Sequence, residues 1–263
     1  MASAIIGGLL NQGHPLSQIS VLEPFEAARD KLLTSYGITA QAEPGAFLAR
    51  ATLMVWAVKP QSFQEAAQAV RAHAGQALHL SVAAGIRCDS MAAWLGSERL
   101  VRSMPNTPAL IGRGITALFA RPGVSQAERE GVAQVLRPTG ELLWLEDEAQ
   151  LDAVTALSGS GPAYVFYFLE AMQQAGAALG LSAQQARQLA QATFAGAAEL
   201  ARASDEPLEL LRQRVTSKGG TTAAALGVME ASQIGPHFVQ AMQAAHARAQ
   251  AMGEAFRGID ATP

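Results

Sequence analysis

Between Ile19 and Leu145 the chain alternates short apolar, often β-branched runs with amphipathic stretches, and this rhythm restricts its fold more than any other feature. Ile19 to Leu22 and Ile38 to Ala40 read as strands on either side of a helix from Phe25 to Tyr36. Leu53 to Val58 is apolar on both faces, as is Ala77 to Val82, with a helix from Ser62 to Ala74 between them. A strand buried on both faces belongs in a parallel sheet covered by helices. Arg99 to Arg102, Ile115 to Phe119 and Glu141 to Leu145 extend that sheet, and Val124 to Leu136 adds a helix between the last two. The economical fold is α/β and doubly wound.

Past Glu146 the texture changes. No strand is evident, Ala dominates, and Tyr164, Phe168, Met172, Ala175 and Leu179 fall at helical spacing. The expected division is a sheet domain over 1–146 and an all-helical domain over 147–263. Phe238, Met242, Ala245, Ala249, Met252 and Phe256 step by four and three, the spacing of a helix-helix seam. That seam suits an intramolecular core or a subunit contact.

Composition narrows the function classes. The 263 residues carry a formal net charge of −3, with Lys and Arg scattered rather than clustered. Neither nucleic acid nor an anionic membrane is an expected partner, and small-molecule chemistry is favoured. Apolar stretches are interrupted well before the roughly 20 residues of a membrane span. The N-terminus lacks a basic leader and cleavage site, so the cytoplasm is the default expectation. Cys88 is the single cysteine, which excludes an internal disulfide and a thiolate zinc cluster, and it reads as a small buried apolar residue. His14, His73, His79, His237 and His246 show no metal-ligand spacing and read as structural or surface residues, so no metal is expected. The chain has no Gly-x-Ser-x-Gly elbow and no P-loop, which removes support for hydrolase and kinase readings.

The most informative motif is Val215-Thr216-Ser217-Lys218-Gly219-Gly220-Thr221-Thr222, followed by helix-prone Ala223 to Leu226. Unpaired N–H groups and the positive dipole end gather where a glycine-hydroxyl turn opens a helix, and two glycines let an anion approach the backbone. A small carboxylate fits there; a simple Ser/Thr cap is the plainer alternative. Upstream stand Ala57-Val58-Lys59-Pro60-Gln61, Ser81-Val82-Ala83-Ala84-Gly85-Ile86, Met104-Pro105-Asn106-Thr107-Pro108-Ala109 and Leu157-Ser158-Gly159-Ser160-Gly161-Pro162-Ala163-Tyr164. The first two sit where an apolar strand runs out into small residues, at the edge where dinucleotides bind. Ser158 to Pro162 reads as a break between helices, and Met104 to Ala109 as a stiff turn.

Taken in order, these five blocks resemble the pyrroline-5-carboxylate reductase family over nearly the whole chain. The resemblance implies a Rossmann-type dinucleotide-binding domain followed by an all-α dimerisation domain, and reduction of 1-pyrroline-5-carboxylate to L-proline by NADPH or NADH. It implies a homodimer through the helical domain, with a higher oligomer of dimers as an extension. Cofactor contacts are implied for Met1, Ala2, Ala57, Val58, Lys59, Pro60, Val82, Ala83, Ala84 and Asn106, with Lys59 alternatively a solvated surface residue. Glu23, at the end of the second expected strand, sits where an acid binds a ribose diol and somewhat favours NAD, or it is a solvated loop acid. Ser217, Gly219, Gly220, Thr221 and Thr222 are implied to hold the substrate, its carboxylate on the N–H groups of Gly220, Thr221 and Thr222. Thr222 is the expected catalytic residue, its hydroxyl bonding the imine nitrogen.

The chain departs from the family at its start. Met1 to Leu10 resembles the segment that follows the glycine turn of such a fold, and no Gly-x-Gly-x-x-Gly precedes it. The expectation is that a strand and turn of about ten residues lie upstream and that Met1 is an internal methionine. Gly7 and Gly8 are then expected inside a helix, packed close on the sheet. The alternative is a truncated, non-catalytic oligomeric or ligand-binding relative.

Overall fold

The computed structural model describes residues 1–257. By proximity of the backbone they form two units, one of 1–160 with the chain from Ala245 onward, the other Gly161–Ala244. Position 146, where strands end in the sequence, lies inside the first unit.

That unit is built on a five-stranded sheet in the order β1 (Leu53–Trp56), β2 (Leu78–Ser81), β3 (Leu100–Met104), β4 (Gly114–Ala120), β5 (Gly140–Trp144). β1, β2 and β3 run parallel, β4 is antiparallel to β3, and β5 is parallel to β4. Trp56 is level with Ser81, and Ser81 with Arg102, so the three parallel strands end at one edge. The helices are α1 (Ala2–Asn11), α2 (Glu26–Tyr36), α3 (Pro60–Arg71), α4 (Cys88–Leu95), α5 (Gln126–Leu136) and α6 (Gln150–Val154).

Both faces of the sheet carry apolar cores, as doubly buried strands require. Phe63, Ala67 and Val70 of α3 and Met91, Trp94 and Leu95 of α4 close one face; Ile5 of α1 and Val132 and Leu136 of α5 close the other. Cys88 is buried in the first of these cores, where loss of hydration raises its thiol pKa.

Three local expectations need correction. Ile19–Leu22 and Ile38–Ala40 do not form strands of the sheet. Glu23 N–H donates to the Gln41 carbonyl and Gln41 N–H to that of Val21, each at 2.8 Å, and the pairing stops at one bridge, Leu22 to Gln41. Two segments that pair only with each other have no ladder to join. Gly7 and Gly8 do lie in α1, but they do not pack on the sheet. A Cβ at Gly8 would stand 2.6 Å from Pro138 Cβ, and one at Gly7 would meet the Tyr36 ring at 3.5 Å. Ser158 to Pro162 does not interrupt the helical path. Thr155–Gly159 is a π-turn, with Ser160 N–H donating to the Thr155 carbonyl at 2.9 Å. It leads directly into α7 (Gly161–Ala178).

The second unit is helical: α7, α8 (Ala183–Arg202), α9 (Leu208–Arg214), α10 (Thr221–Ala231) and the first half of α11 (Ile234–Arg257). α7 and α8 approach closely, since a Cβ on Gly176 would stand 2.8 Å from Ala186 Cβ. A Ser182–Gln185 capping box starts α8. The Phe238 ring of α11 meets Tyr164 and Phe168 of α7 edge-on at 5.7 and 5.6 Å. The last turns of α11 belong to the first unit, with Met252 against Gly85 and Phe256 on the α3–α4 core. At these positions the seam is an intramolecular core.

Candidate functional site

Three of the expected cofactor segments emerge together from the carboxyl edge of the parallel strands. Ala57 to Pro60 follows β1, Val82 to Ala84 follows β2, and Asn106 follows β3 after Met104 and Pro105. Val82 N–H donates to the Trp56 carbonyl at 3.1 Å and Ala83 N–H to Ser81 Oγ at 3.2 Å, while Ser103 Oγ donates to the Ser81 carbonyl at 2.7 Å. The edge is thereby cross-tied through all three strands. Gly85 turns the chain with φ 80°, a left-handed conformation that favours glycine, and Arg87 then caps α4. Lys59 is exposed at the cap of α3, with Pro60 at its first position.

Asn106 has its carbonyl committed. Its Oδ1 accepts the N–H of Ile115 at 3.0 Å, which leaves the amide NH₂ as the donor it can offer. Glu23 is half-buried; its Oε1 accepts the N–H of Phe25 at 3.0 Å. Arg29, which sequence reading passed over, donates through Nη1 to the Glu23 and Pro24 carbonyls at 3.1 and 2.7 Å. A guanidinium so placed lies where a 2′-phosphate would meet the end of Glu23–Pro24. The signal available in the sequence was its position six residues past Glu23, one turn into the helix.

At the start of α1, Met1 is the cap residue with no side-chain bond, and the first turn has no acid. Ala4 N–H and Ile5 N–H reach the Met1 carbonyl, which leaves the Ala2 and Ser3 N–H groups to point out of the helix. No strand precedes α1 among the described residues. The donor set therefore fits an anionic group at α1, and the small residues Ala57, Ala83 and Ala84 leave room for a flat ring at the edge.

In the helical unit Ser217 to Thr222 form a tight turn into α10. Gly219 has φ 73°, and a Cβ at Gly220 would meet Ser217 Oγ at 2.5 Å, so both glycines are required. Gly220 N–H is already donated to the Ser217 carbonyl at 3.0 Å, which takes it out of the set expected to face a carboxylate. Thr221 and Thr222 remain at the helix start with no side-chain cap from Gly220 and no acid in the first turn. Such an end accepts an anion. Thr222 is partly buried and Thr221 exposed. Among the described residues no group of three His, Cys, Asp or Glu side chains could hold a metal ion, and no helix is long and apolar enough to cross a membrane.

The fold and the edge geometry define a nicotinamide-dependent oxidoreductase of the Rossmann class with a helical second domain. Comparison with known proteins narrows this. Residues 148–252 match the family described as pyrroline-5-carboxylate reductase dimerisation, and residues 1–85 the one described as NADP oxidoreductase, coenzyme F420-dependent. The pyrroline-5-carboxylate reductase of Pseudomonas aeruginosa is 44% identical over 257 residues, covering 97% of this chain and 94% of its own length. That of Haemophilus influenzae is 41% identical over 97% of this chain and 95% of its own length. Among solved structures, a pyrroline-5-carboxylate reductase from Coxiella burnetii superposes with a TM-score of 0.88 at 33% identity, covering 95% of this chain and 94% of that one. The Plasmodium falciparum pyrroline carboxylate reductase with NADP bound gives a TM-score of 0.86 at 26% identity, covering 95% and 94%. The chain belongs to the pyrroline-5-carboxylate reductase family.

Proposed function

We propose that this chain reduces 1-pyrroline-5-carboxylate to L-proline, using NADPH or NADH, in the cytoplasm and as a homodimer. The observation that carries the activity is the 44% identity to the Pseudomonas aeruginosa reductase across 97% of the chain. A bound nicotinamide supplies hydride to the carbon of the C=N bond. What the protein adds is orientation and the handling of charge and proton.

The division of labour follows the two units, which we read as a cofactor domain and a substrate and dimerisation domain. Ala57, Val58, Lys59, Pro60, Val82, Ala83, Ala84 and the Asn106 NH₂ hold the nicotinamide half at the sheet edge. Met1 and Ala2 offer backbone N–H groups to a phosphate, and Glu23 with Arg29 meets the adenosine ribose. The substrate carboxylate rests on the Thr221 and Thr222 N–H groups, with Ser217, Gly219 and Gly220 shaping the turn. Thr222 Oγ1 bonds the imine nitrogen and relays a proton whose final source is water, because a hydroxyl alone is a poor acid.

Self-association is supported by the apolar surface of the helical unit. Phe166, Tyr167, Leu189, Leu200 and Val228 are each more than half exposed within one chain. So much apolar surface marks an interaction site. The activity is tested by following the absorbance of the reduced cofactor with pyrroline-5-carboxylate and assaying proline; no loss of absorbance and no proline would refute it.

A further inference from the structure

The sheet unit holds a group of charged side chains almost out of water, away from the residues of the carboxyl edge. Arg102 of β3 and Asp152 of α6 are each 2% exposed. Arg102 Nη1 donates to Glu148 Oε1 at 2.7 Å, and its Nη2 lies 3.7 Å from Asp152 Oδ1. Asp152 Oδ2 accepts from Arg87 Nη2 at 3.0 Å, and that nitrogen is 3.8 Å from Glu254 Oε1 of α11. Glu148 Oε1 also accepts the N–H of Cys88, the first residue of α4, at 2.8 Å. Burying charge is costly even when it is paired, and apolar side chains of similar volume are often as stable. Stability alone is a weak reason for such a cluster.

Its effect is geometric. Arg102 and Met104 are two residues apart on β3 and so project from the same face. Asp152 meets Arg102, while Gly159, at the end of the π-turn, lies so close to Met104 that a Cβ there would overlap Met104 Cε. The segment 148–159 is thus registered on β3 at two points, by an ion pair at one end and a glycine contact at the other. Beyond Met104 the chain continues into Pro105 and Asn106. We propose that Arg102, through Asp152, is a positioning residue for the reduction: it fixes the Thr155–Gly159 π-turn against the end of β3 and so sets its spacing from Asn106. The inference rests on the site reading above for its link to catalysis, whereas the register itself does not.

Two variants test it. Arg102→Lys keeps the charge and loses the fork that bridges Glu148 and Asp152. The double variant Arg102→Met with Asp152→Leu removes the pair and keeps the volume filled. In both, kcat falls about tenfold to a hundredfold, as misplacement by about an ångström produces. The Kd for NADPH, read by fluorescence, stays within about twofold of wild type, since the group lies off the edge. Amide exchange at Thr155 to Ser160 rises about tenfold as local opening becomes easier. If either variant does not fold, Asp152→Asn is read in its place. Wild-type kcat in a folded variant, or unchanged exchange in the π-turn, would overturn the proposal. Should the wild-type protein not reduce pyrroline-5-carboxylate at all, the site reading fails, and the exchange comparison still decides the register.

Discussion

Trp56 Nε1 donates to His79 Nδ1 at 3.1 Å across the β1–β2 pair, which fixes a buried imidazole in one neutral tautomer. Burial, reinforced by the Arg99 charge, lowers the His79 pKa to about 4. The unfolded chain, with a pKa near 6.5, binds the proton more readily. Stability is therefore complete above about pH 6.5 and falls as pH drops toward 4, by about 3 kcal/mol in all. Urea midpoints measured between pH 4 and 7 should show that slope, and His79→Gln should flatten it. An unchanged slope in the variant would assign the effect to other groups.

Gly8 and Gly131 should respond oppositely to alanine. A methyl at Gly8 meets the Pro138 ring at 2.6 Å and its backbone at 3.4 Å, neither of which yields easily. Overpacking of about 1–3 kcal/mol should outweigh the gain of up to about 1 kcal/mol in helix propensity. Gly131 lies inside α5 with open space where a Cβ would stand, so Gly131→Ala should stabilise by about 0.5–1 kcal/mol. Thermal melting of both variants reads the difference in sign.

Ser125 closes a capping box at the start of α5: its Oγ accepts from Glu128 N–H at 3.3 Å, and Glu128 Oε2 accepts from Ser125 N–H at 2.8 Å. These bonds lower the Glu128 pKa. Ser125→Ala should cost about 1 kcal/mol, read as a lower denaturation midpoint at neutral pH.

Thr222→Ala should separate turnover from cofactor binding. Loss of the hydroxyl should lower kcat about a hundredfold or more, the scale of a positioned proton-transfer group, with the Kd for NADPH unchanged. Equal losses in both would place Thr222 outside the role proposed for it.

Coenzyme choice should turn on Glu23 and Arg29, whose groups meet at one loop. Arg29→Ala should raise KM for NADPH more than for NADH, because only the former carries a 2′-phosphate. Glu23→Gln should shift the ratio the other way. Paired KM values for the two coenzymes decide between them.

The sequence was most legible where burial leaves a strong pattern. Leu53–Trp56 and Leu78–Ser81 are apolar on both faces because helices cover both, and the α/β reading follows directly. Ile19–Leu22 carries the same β-branched signal, yet propensity alone cannot supply a neighbouring strand. The π-turn was hidden because Ser-Gly-Ser-Gly-Pro is also loop composition. The Gly220 N–H was assigned to a ligand because nothing local to the sequence reveals its bond to Ser217. The ion cluster was out of reach altogether: Arg102 and Glu148 are 46 residues apart and Arg87 and Asp152 are 65, so only the fold brings them together.

The most direct test of the central claim follows the hydride itself. With NADPH deuterated on the transferred face of C4 and pyrroline-5-carboxylate as substrate, the proline formed should carry one deuterium on the former imine carbon, read by mass spectrometry. Proline without the label, or labelled cofactor left unconsumed while the substrate persists, would contradict the assignment of this chain as an imine reductase.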